Sequence, residues 1–299
     1  MFTYQTYGLV ISSEIEIPEF LLSLKDPDIY IRFGEFRVPC ITANEPIRVI
    51  EPSKNGILLY WNRIGGFLIE QGNTITISPI PNVDQSLIRL VLTGPALGVL
   101  LHQRGSSVFH ASVISEEKEG KAVAFLARKG EGKSTMAAAM YNHGYRLMSD
   151  DLMAVTYSDE GTVVQSGFPQ TKLWSESADI LVHDAAVLRK LGPDFEKRSR
   201  PITERFREDP ALLMLIFVLE FGEGLNIEPV NGKDALKALL PHWYGALFSG
   251  QLIDFFGRDK HFFECAQIAR NIPVLKLTRP HSFSLLQDVV DMVDSYIKT

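Results

Sequence analysis

Residues 125–135 read Phe-Leu-Ala-Arg-Lys-Gly-Glu-Gly-Lys-Ser-Thr, and Ser149, Asp150 and Asp151 follow one short helix later. Gly130 and Gly132 lack a Cβ, so the backbone there can wrap around phosphate oxygens and aim its N–H groups at them. Lys133 has the reach for the outer phosphates of a nucleoside triphosphate, and the Ser134 hydroxyl suits Mg²⁺. A helix starting near Ser134 would add a partly positive end to the same place. Asp150 and Asp151 supply a metal partner and a base. The set predicts phosphoryl transfer from ATP with Mg²⁺, the nucleotide lying against Gly130, Glu131, Gly132, Lys133, Ser134 and Thr135. A plain glycine turn before an ordinary helix is the competing account. Four parts in the right order favour the phosphate loop.

One position departs from the usual G-x-x-x-x-G-K-[ST] pattern. Ala127 stands where the first glycine is common, and alanine disfavours φ > 0, which predicts a slightly altered loop. The flanking elements suit the motif. Residues 121–126 form an apolar run fit for a buried strand, residues 135–140 are strong helix formers, and Gly144 is placed to end the helix. Residues 145–149 read as the next strand. That puts Asp150 and Asp151 beyond its carboxyl end, where open α/β sheets hold their ligands.

Upstream, short β-branched and aromatic segments at 7–12, 29–33, 48–50, 56–61, 66–70 and 74–77 read as strands. Asn55-Gly56 and Gly72-Asn73 read as hairpin turns, and residues 85–102 as a closing helix. The pattern predicts a β-rich amino-terminal module over 1–104 and an α/β nucleotide domain over 105–299. The latter ends in a strand at 271–277 and an amphipathic helix at 284–296. No internal repeat or low-complexity segment is present.

The 299 residues suffice for one large or two smaller domains, and 45% hydrophobic content is ordinary for a globular chain. A net charge of −6 argues against broad binding to nucleic acid or anionic membranes. Two cysteines, Cys40 and Cys265, make neither a disulfide framework nor a zinc cluster and read as packed thiols. No basic region precedes an apolar core at the amino terminus, and the apolar run at 211–219 is too short to cross a bilayer, so the cytoplasm is the expected compartment.

Other residues bear on the same chemistry. His110 lies among apolar neighbours just before the loop strand, either as a core residue or as a partner that orients Asp150 or accepts its proton. Lys172 could meet a phosphate, or lie on the surface beside a packed Trp174. Residues 196–208 carry Lys197, Arg198, Arg200, Arg205 and Arg207, which read as a solvated loop or a mobile basic loop closing over the transferring phosphate. Arg198 is the preferred member, and Arg258 is a second candidate.

Phe109-His110-Ala111-Ser112, the loop ending in Gly130–Thr135, Ser149-Asp150-Asp151-Leu152 and residues 169–174 (Pro-Gln-Thr-Lys-Leu-Trp) together resemble the HPr-kinase-related family. The opening residues 7–14 and 17–20 are similar to small kinases of that group found with lasso-peptide biosynthesis. The resemblance implies an HPr-kinase/PEP-carboxykinase-like P-loop domain behind a small β-rich amino-terminal domain. It implies that Asp150 accepts the proton of a serine hydroxyl, supported by His110, while Ser134 and Asp151 serve the metal. The acceptor would be a peptide or protein with an accessible Ser, most specifically the carboxyl-terminal Ser of a lasso-peptide precursor. The long signature that bifunctional HPr kinase/phosphorylases carry after the Asp pair is absent.

Three readings follow: a serine kinase, a kinase of an HPr-like protein or small hydroxylated metabolite, and a nucleotide-gated binding protein without transfer. Homo-oligomers are compatible with each. On this reading Lys133→Ala weakens both ATP binding and turnover, whereas Asp150→Asn keeps ATP binding and loses most transfer. Calorimetric ATP titration beside a transfer assay checks both, and unchanged affinity and rate in Lys133→Ala would remove the loop from the phosphate site.

Overall fold

Alternation of buried and exposed side chains marks the middle of the first sheet. In Ile29–Phe33, Ile29 and Ile31 are buried while Tyr30 and Arg32 face out, the pattern of a strand with one face on a core. The computed structural model describes residues 1–38, 48–54, 56–117, 120–192, 195–248 and 251–298. Eight strands share this sheet, in the order Leu21–Leu22, Phe2–Thr6, Leu9–Ser13, Ile29–Phe33, Thr74–Pro79, Gly65–Glu70, Gly56–Trp61 and Arg48–Ser53. The strand Phe2–Thr6 was not anticipated. It pairs with Leu9–Ser13 through a two-residue turn in which Tyr7 (φ 51°) and Gly8 (φ 72°) both take left-handed angles, as a hairpin turn matched to strand twist requires. Cys40 and Asn55 lie outside the described residues.

The expected closing helix runs over Gln85–Gln103, long and apolar enough by length and composition to cross a membrane, with 72% of its apolar window buried in the protein. That burial makes it a core helix here: Ile88, Val91, Leu92, Leu97 and Leu100 pack with Ile11, Ile57, Phe67 and Ile77 of the sheet. Pro95 cannot donate a backbone hydrogen bond, and the helix absorbs it as a π-turn over Leu92–Ala96.

A nine-stranded mixed sheet follows. Ala122–Leu126, Ala211–Phe221 and Val274–Arg279 run parallel at its centre. All five residues of Ala122–Leu126 are buried, the continuous apolar run expected of a strand covered on both faces. Ala111–Ser115 pairs antiparallel with it, and Arg146–Ser149 pairs in turn with Ala111–Ser115. The eleven-residue strand Ala211–Phe221 also meets the hairpin of Met153–Ser158 and Gly161–Gln165, missed in the sequence reading, at its amino end. A third sheet of Gln170–Trp174, Lys197–Pro201 and Arg189–Lys190 lies beside the helix Lys133–His143. The final helix, Leu286–Ile297, packs Val289, Val290 and Val293 on the core behind the parallel strands.

Three histidines are buried where these parts meet. Burial, aided by nearby cations, pushes His102 and His110 down to about 3 and His242 down to about 4. In the unfolded chain each titrates near ~6.5, so below that pH the unfolded state binds more protons. Stability from these groups is complete above ~6.5 and is lost as pH falls toward the folded values, by up to ~1.4 kcal/mol per pH unit for each histidine. Urea unfolding at pH 7.5 and pH 5 should show that loss. It should be smaller in His102→Leu, which removes an imidazole tilted 48° against Trp243 with centroids 4.6 Å apart; an equal loss in the variant would refute the account.

Candidate active site

The glycine-bearing segment leaves the carboxyl end of Ala122–Leu126 and enters the helix Lys133–His143. Gly130 (φ 93°) and Gly132 (φ 86°) take left-handed angles, and Gly132 is the N-cap residue. Ala127 is buried in the core and does not take a positive φ, so alanine at that position leaves the turn intact. Glu131, an anticipated nucleotide contact, turns back on its own loop: its Oε2 accepts the Arg128 backbone N–H at 2.9 Å. Arg279, at the carboxyl end of the parallel strand Val274–Arg279, donates from Nη2 to the Glu131 carbonyl at 3.1 Å and so ties the loop to the next strand end.

The two aspartates have different surroundings. Asp150 is 3% exposed. Its Oδ1 accepts from Ser112 Oγ at 2.5 Å and Ser134 Oγ at 2.9 Å, and its Oδ2 accepts the Lys172 backbone N–H at 2.8 Å. Asp151 has φ 84°, a left-handed angle uncommon outside glycine and a sign of local strain. Its side chain is 24% exposed, and Lys172 Nζ lies 3.1 Å from Oδ2. His110 Nδ1 lies 2.9 Å from the Asp151 carbonyl oxygen and 3.3 Å from Oδ1. With its pKa pushed down to about 3 by burial and Lys133, the imidazole is neutral and Nδ1 carries the hydrogen that it donates.

The expected partnership of His110 with Asp150 is therefore corrected: the histidine holds Asp151. It sits at the break between Ser107–Phe109 and Ala111–Ser115, where the chain changes sheet partners and the side chain turns toward the second carboxylate. Likewise Ser134 meets Asp150, not Asp151. Burial opposes charge on Asp151, yet Lys172, His110, Lys133 and Lys197 outweigh it and hold the carboxyl well below its usual range. Lys133 is buried, which lowers its pKa, while Asp151 and Asp150 favour its charge.

Asp151 opens on a cavity of about 430 Å³ lined by Leu90, Lys129, Lys172, Trp174, Phe195 and Lys197, among others. On the other side of the loop a cavity of about 270 Å³ is lined by Gly130, Gly132, Thr135, Phe221, Arg279 and Phe283, among others. A narrow gap between Arg128, Lys133, Ser134, Lys172, Trp174 and Lys197 lies along the loop itself. Thr135 Oγ1 is paired with Ser177 Oγ at 2.9 Å.

The basic segment is corrected as well. Residues 197–201 are a strand paired with Gln170–Trp174, not a mobile loop. Alternation sends Lys197 toward Trp174, with Nζ 5.3 Å from the ring centroid, and Arg198 to the opposite face, where it binds Asp179 at 3.1 Å and the Ala185 carbonyl at 2.8 Å. Arg200 and Arg205 stack on Tyr141. Arg258, at the start of the helix Arg258–Asn271, pairs with the exposed Asp254 of the preceding helix Gln251–Phe256 and lines none of the three openings at the loop. Sequence reasoning missed Ser112, Arg279 and the part played by Lys197. A period-two reading of Lys-Arg-Ser-Arg would have separated Lys197 from Arg198, and Ser112 stood inside the quoted His-Ala-Ser segment. Arg279 carried no local signal. Among the described residues no cluster of three or more His, Cys, Asp or Glu could hold a metal by itself, and Cys265 is a buried free thiol.

No family model and no curated protein matches this sequence. Among solved structures, the HPr(Ser) kinase/phosphatase from Coxiella burnetii aligns with 63% of this chain and 95% of its own, at 11% identity and a TM-score of 0.33.

The loop geometry generates a direct test. A Cβ on Gly132 would strike the Arg279 guanidinium and force an L-residue into a left-handed angle, which costs roughly 1–2 kcal/mol. Gly132→Ala should therefore lower the urea midpoint modestly and weaken ATP binding by at least ~10-fold. Gly130→Ala, whose Cβ meets open space, should show the smaller binding loss. Equal ATP affinity in Gly132→Ala and the parent would rule out this loop as the phosphate cradle.

Proposed function

We propose that this chain is an ATP- and Mg²⁺-dependent kinase that phosphorylates a hydroxyl group. The observation carrying the proposal is the junction of the Gly130–Thr135 turn with the carboxylate pair: Ser134 Oγ is 2.9 Å from Asp150, and Lys172 joins Asp150 to Asp151 through its backbone and its ammonium group. The phosphates would lie in the gap between Lys133, Lys172 and Lys197, with the nucleoside toward Phe221 and Phe283 and the acceptor toward Asp151. Ser134 and Asp150 form the oxygen donor set that suits Mg²⁺, an ion that takes few protein ligands and keeps phosphate oxygens and water. When bound, the ion would neutralise charge on the phosphates.

Asp151 is the carboxylate in reach of an acceptor, and we assign it the part first given to Asp150. Its depressed pKa makes it a weak proton acceptor in the ground state. Its value is to align the hydroxyl oxygen with the γ-phosphorus, which fits a reaction dominated by geometry and charge stabilisation. Neutral His110 and charged Lys172 position it, and the three lysines face the charge on the transferring group.

For the acceptor, the family resemblance of the His-Ala-Ser, Gly-Lys-Ser, Asp-Asp and Lys-Leu-Trp segments supports a serine hydroxyl, specifically the carboxyl-terminal Ser of a lasso-peptide precursor. The cytoplasm is the compartment this reading implies. Incubation with Mg²⁺-ATP and a serine-terminated peptide, read by mass spectrometry, should place phosphate on the terminal hydroxyl. Asp151→Asn should lower turnover by ~100-fold or more with ATP affinity within ~3-fold, a change below ~1 kcal/mol, whereas Asp150→Asn should lose Mg²⁺-dependent nucleotide affinity as well. Full transfer by Asp151→Asn would overturn the assignment, and ATP binding without transfer to any acceptor would favour a nucleotide-gated binding protein.

A further inference from the structure

Next to the Asp151 cavity is a smaller cleft between the amino-terminal helix and the third sheet. Leu90, Lys172 and Leu191 line both, so the two adjoin at the same lysine that holds Asp151. The smaller cleft adds Arg89, Arg189 and Lys190 to its wall. Arg89 is 7% exposed, and its Nε donates to Glu19 Oε1 at 3.2 Å. Its two Nη atoms have no hydrogen-bond partner among the described residues. Four of the five guanidinium N–H donors are therefore open to an acceptor in the cleft. Arg189 and Lys190 have no ion-pair partner among the described residues, although Asp84 lies close enough to feel Arg189. Arg89, Arg189 and Lys190 therefore line the cleft with Glu19 as the one carboxylate among its described lining residues, while Lys172 is paired with Asp151.

Size narrows the ligand. The cleft has a volume of about 30 Å³, and one water-sized atom needs roughly 10–15 Å³. Two to three such atoms fit, the size of a carboxylate group. Arg89 offers the paired donors that bind carboxylates in a fork.

We propose that this cleft binds a carboxylate of the acceptor while the acceptor's hydroxyl lies at Asp151, so that the substrate is an anionic hydroxyl compound or a peptide with its acid group beside the reacting residue. The inference rests on the kinase reading for the identity of the acceptor, but the binding site can be tested without transfer.

The test uses the full chain saturated with a non-hydrolysable ATP analogue and Mg²⁺. Three short peptides of one sequence are titrated by calorimetry: one ending in Ser with a free carboxylate, one ending in Ser carboxamide, and a carboxamide bearing phosphoserine after the acceptor Ser. The free carboxylate should bind at least ~10-fold more tightly than the carboxamide, and Arg189→Ala/Lys190→Ala should reduce that ratio to below ~3-fold, under ~1 kcal/mol. Because Arg89→Ala would strand the Glu19 charge, Arg89→Met is made together with Glu19→Gln, and it should erase the preference too. Equal binding of carboxylate and carboxamide, binding of neither, or a preference that survives both variants would overturn the proposal. Tighter binding of the phosphopeptide than of the free carboxylate would overturn the choice of ligand. Carboxylate-dependent binding without phosphoryl transfer from ATP would support this site while refuting the kinase reading.

Discussion

Asp150 ties the site together. A carboxylate removed from water is tolerated only when donors replace the solvent, and here they come from three separate segments: Ser112 from one sheet strand, Ser134 from the loop helix, and the backbone of Lys172 from the third sheet. Each must be in place for the charge to be satisfied, so the packing of three elements is coupled to one residue. The next residue is then displayed in a left-handed conformation at the cleft. One aspartate organises, and its neighbour is presented.

Electrostatics gives the cleft its preference. The whole chain carries a net charge of −6, yet Arg128, Lys133, Lys172 and Lys197 gather around the loop. Like charges drawn together into a partly buried space repel, and an anion relieves the repulsion. Asp150 and Asp151 offset part of it and favour the charged form of Lys133, whose burial lowers its pKa. A polyphosphate is the ligand that suits such a field.

The amino-terminal sheet also reaches the site. The buried Tyr7 hydroxyl donates to the Leu152 carbonyl at 3.1 Å, immediately after the aspartate pair, and its ring meets Phe168 edge to face. The π-turn of the closing helix brings Gly94 close to Asp151, where a Cβ would stand 4.0 Å from Oδ2. Placement of the Asp151 carboxylate thus depends on residues from the first hundred as well as on the loop and its helix.

Local chemistry determined much of this in the sequence alone. The glycine spacing, the Lys133-Ser134 pair and the apolar run at 122–126 each act over a few residues, so the loop, its strand and its helix could be read directly. Alternation marked most strands of the first sheet for the same reason. Tertiary structure decided which aspartate is buried, which one His110 holds, and whether Lys197 or Arg198 faces the cleft. Those outcomes depend on sheet partners far away in the chain: pairing of 197–201 with 170–174 sets the facing of the basic residues, and the strand break at His110 sets its direction. The contacts of Arg279 with the loop and Tyr7 with Leu152 span more than a hundred residues, and no local propensity encodes such distances.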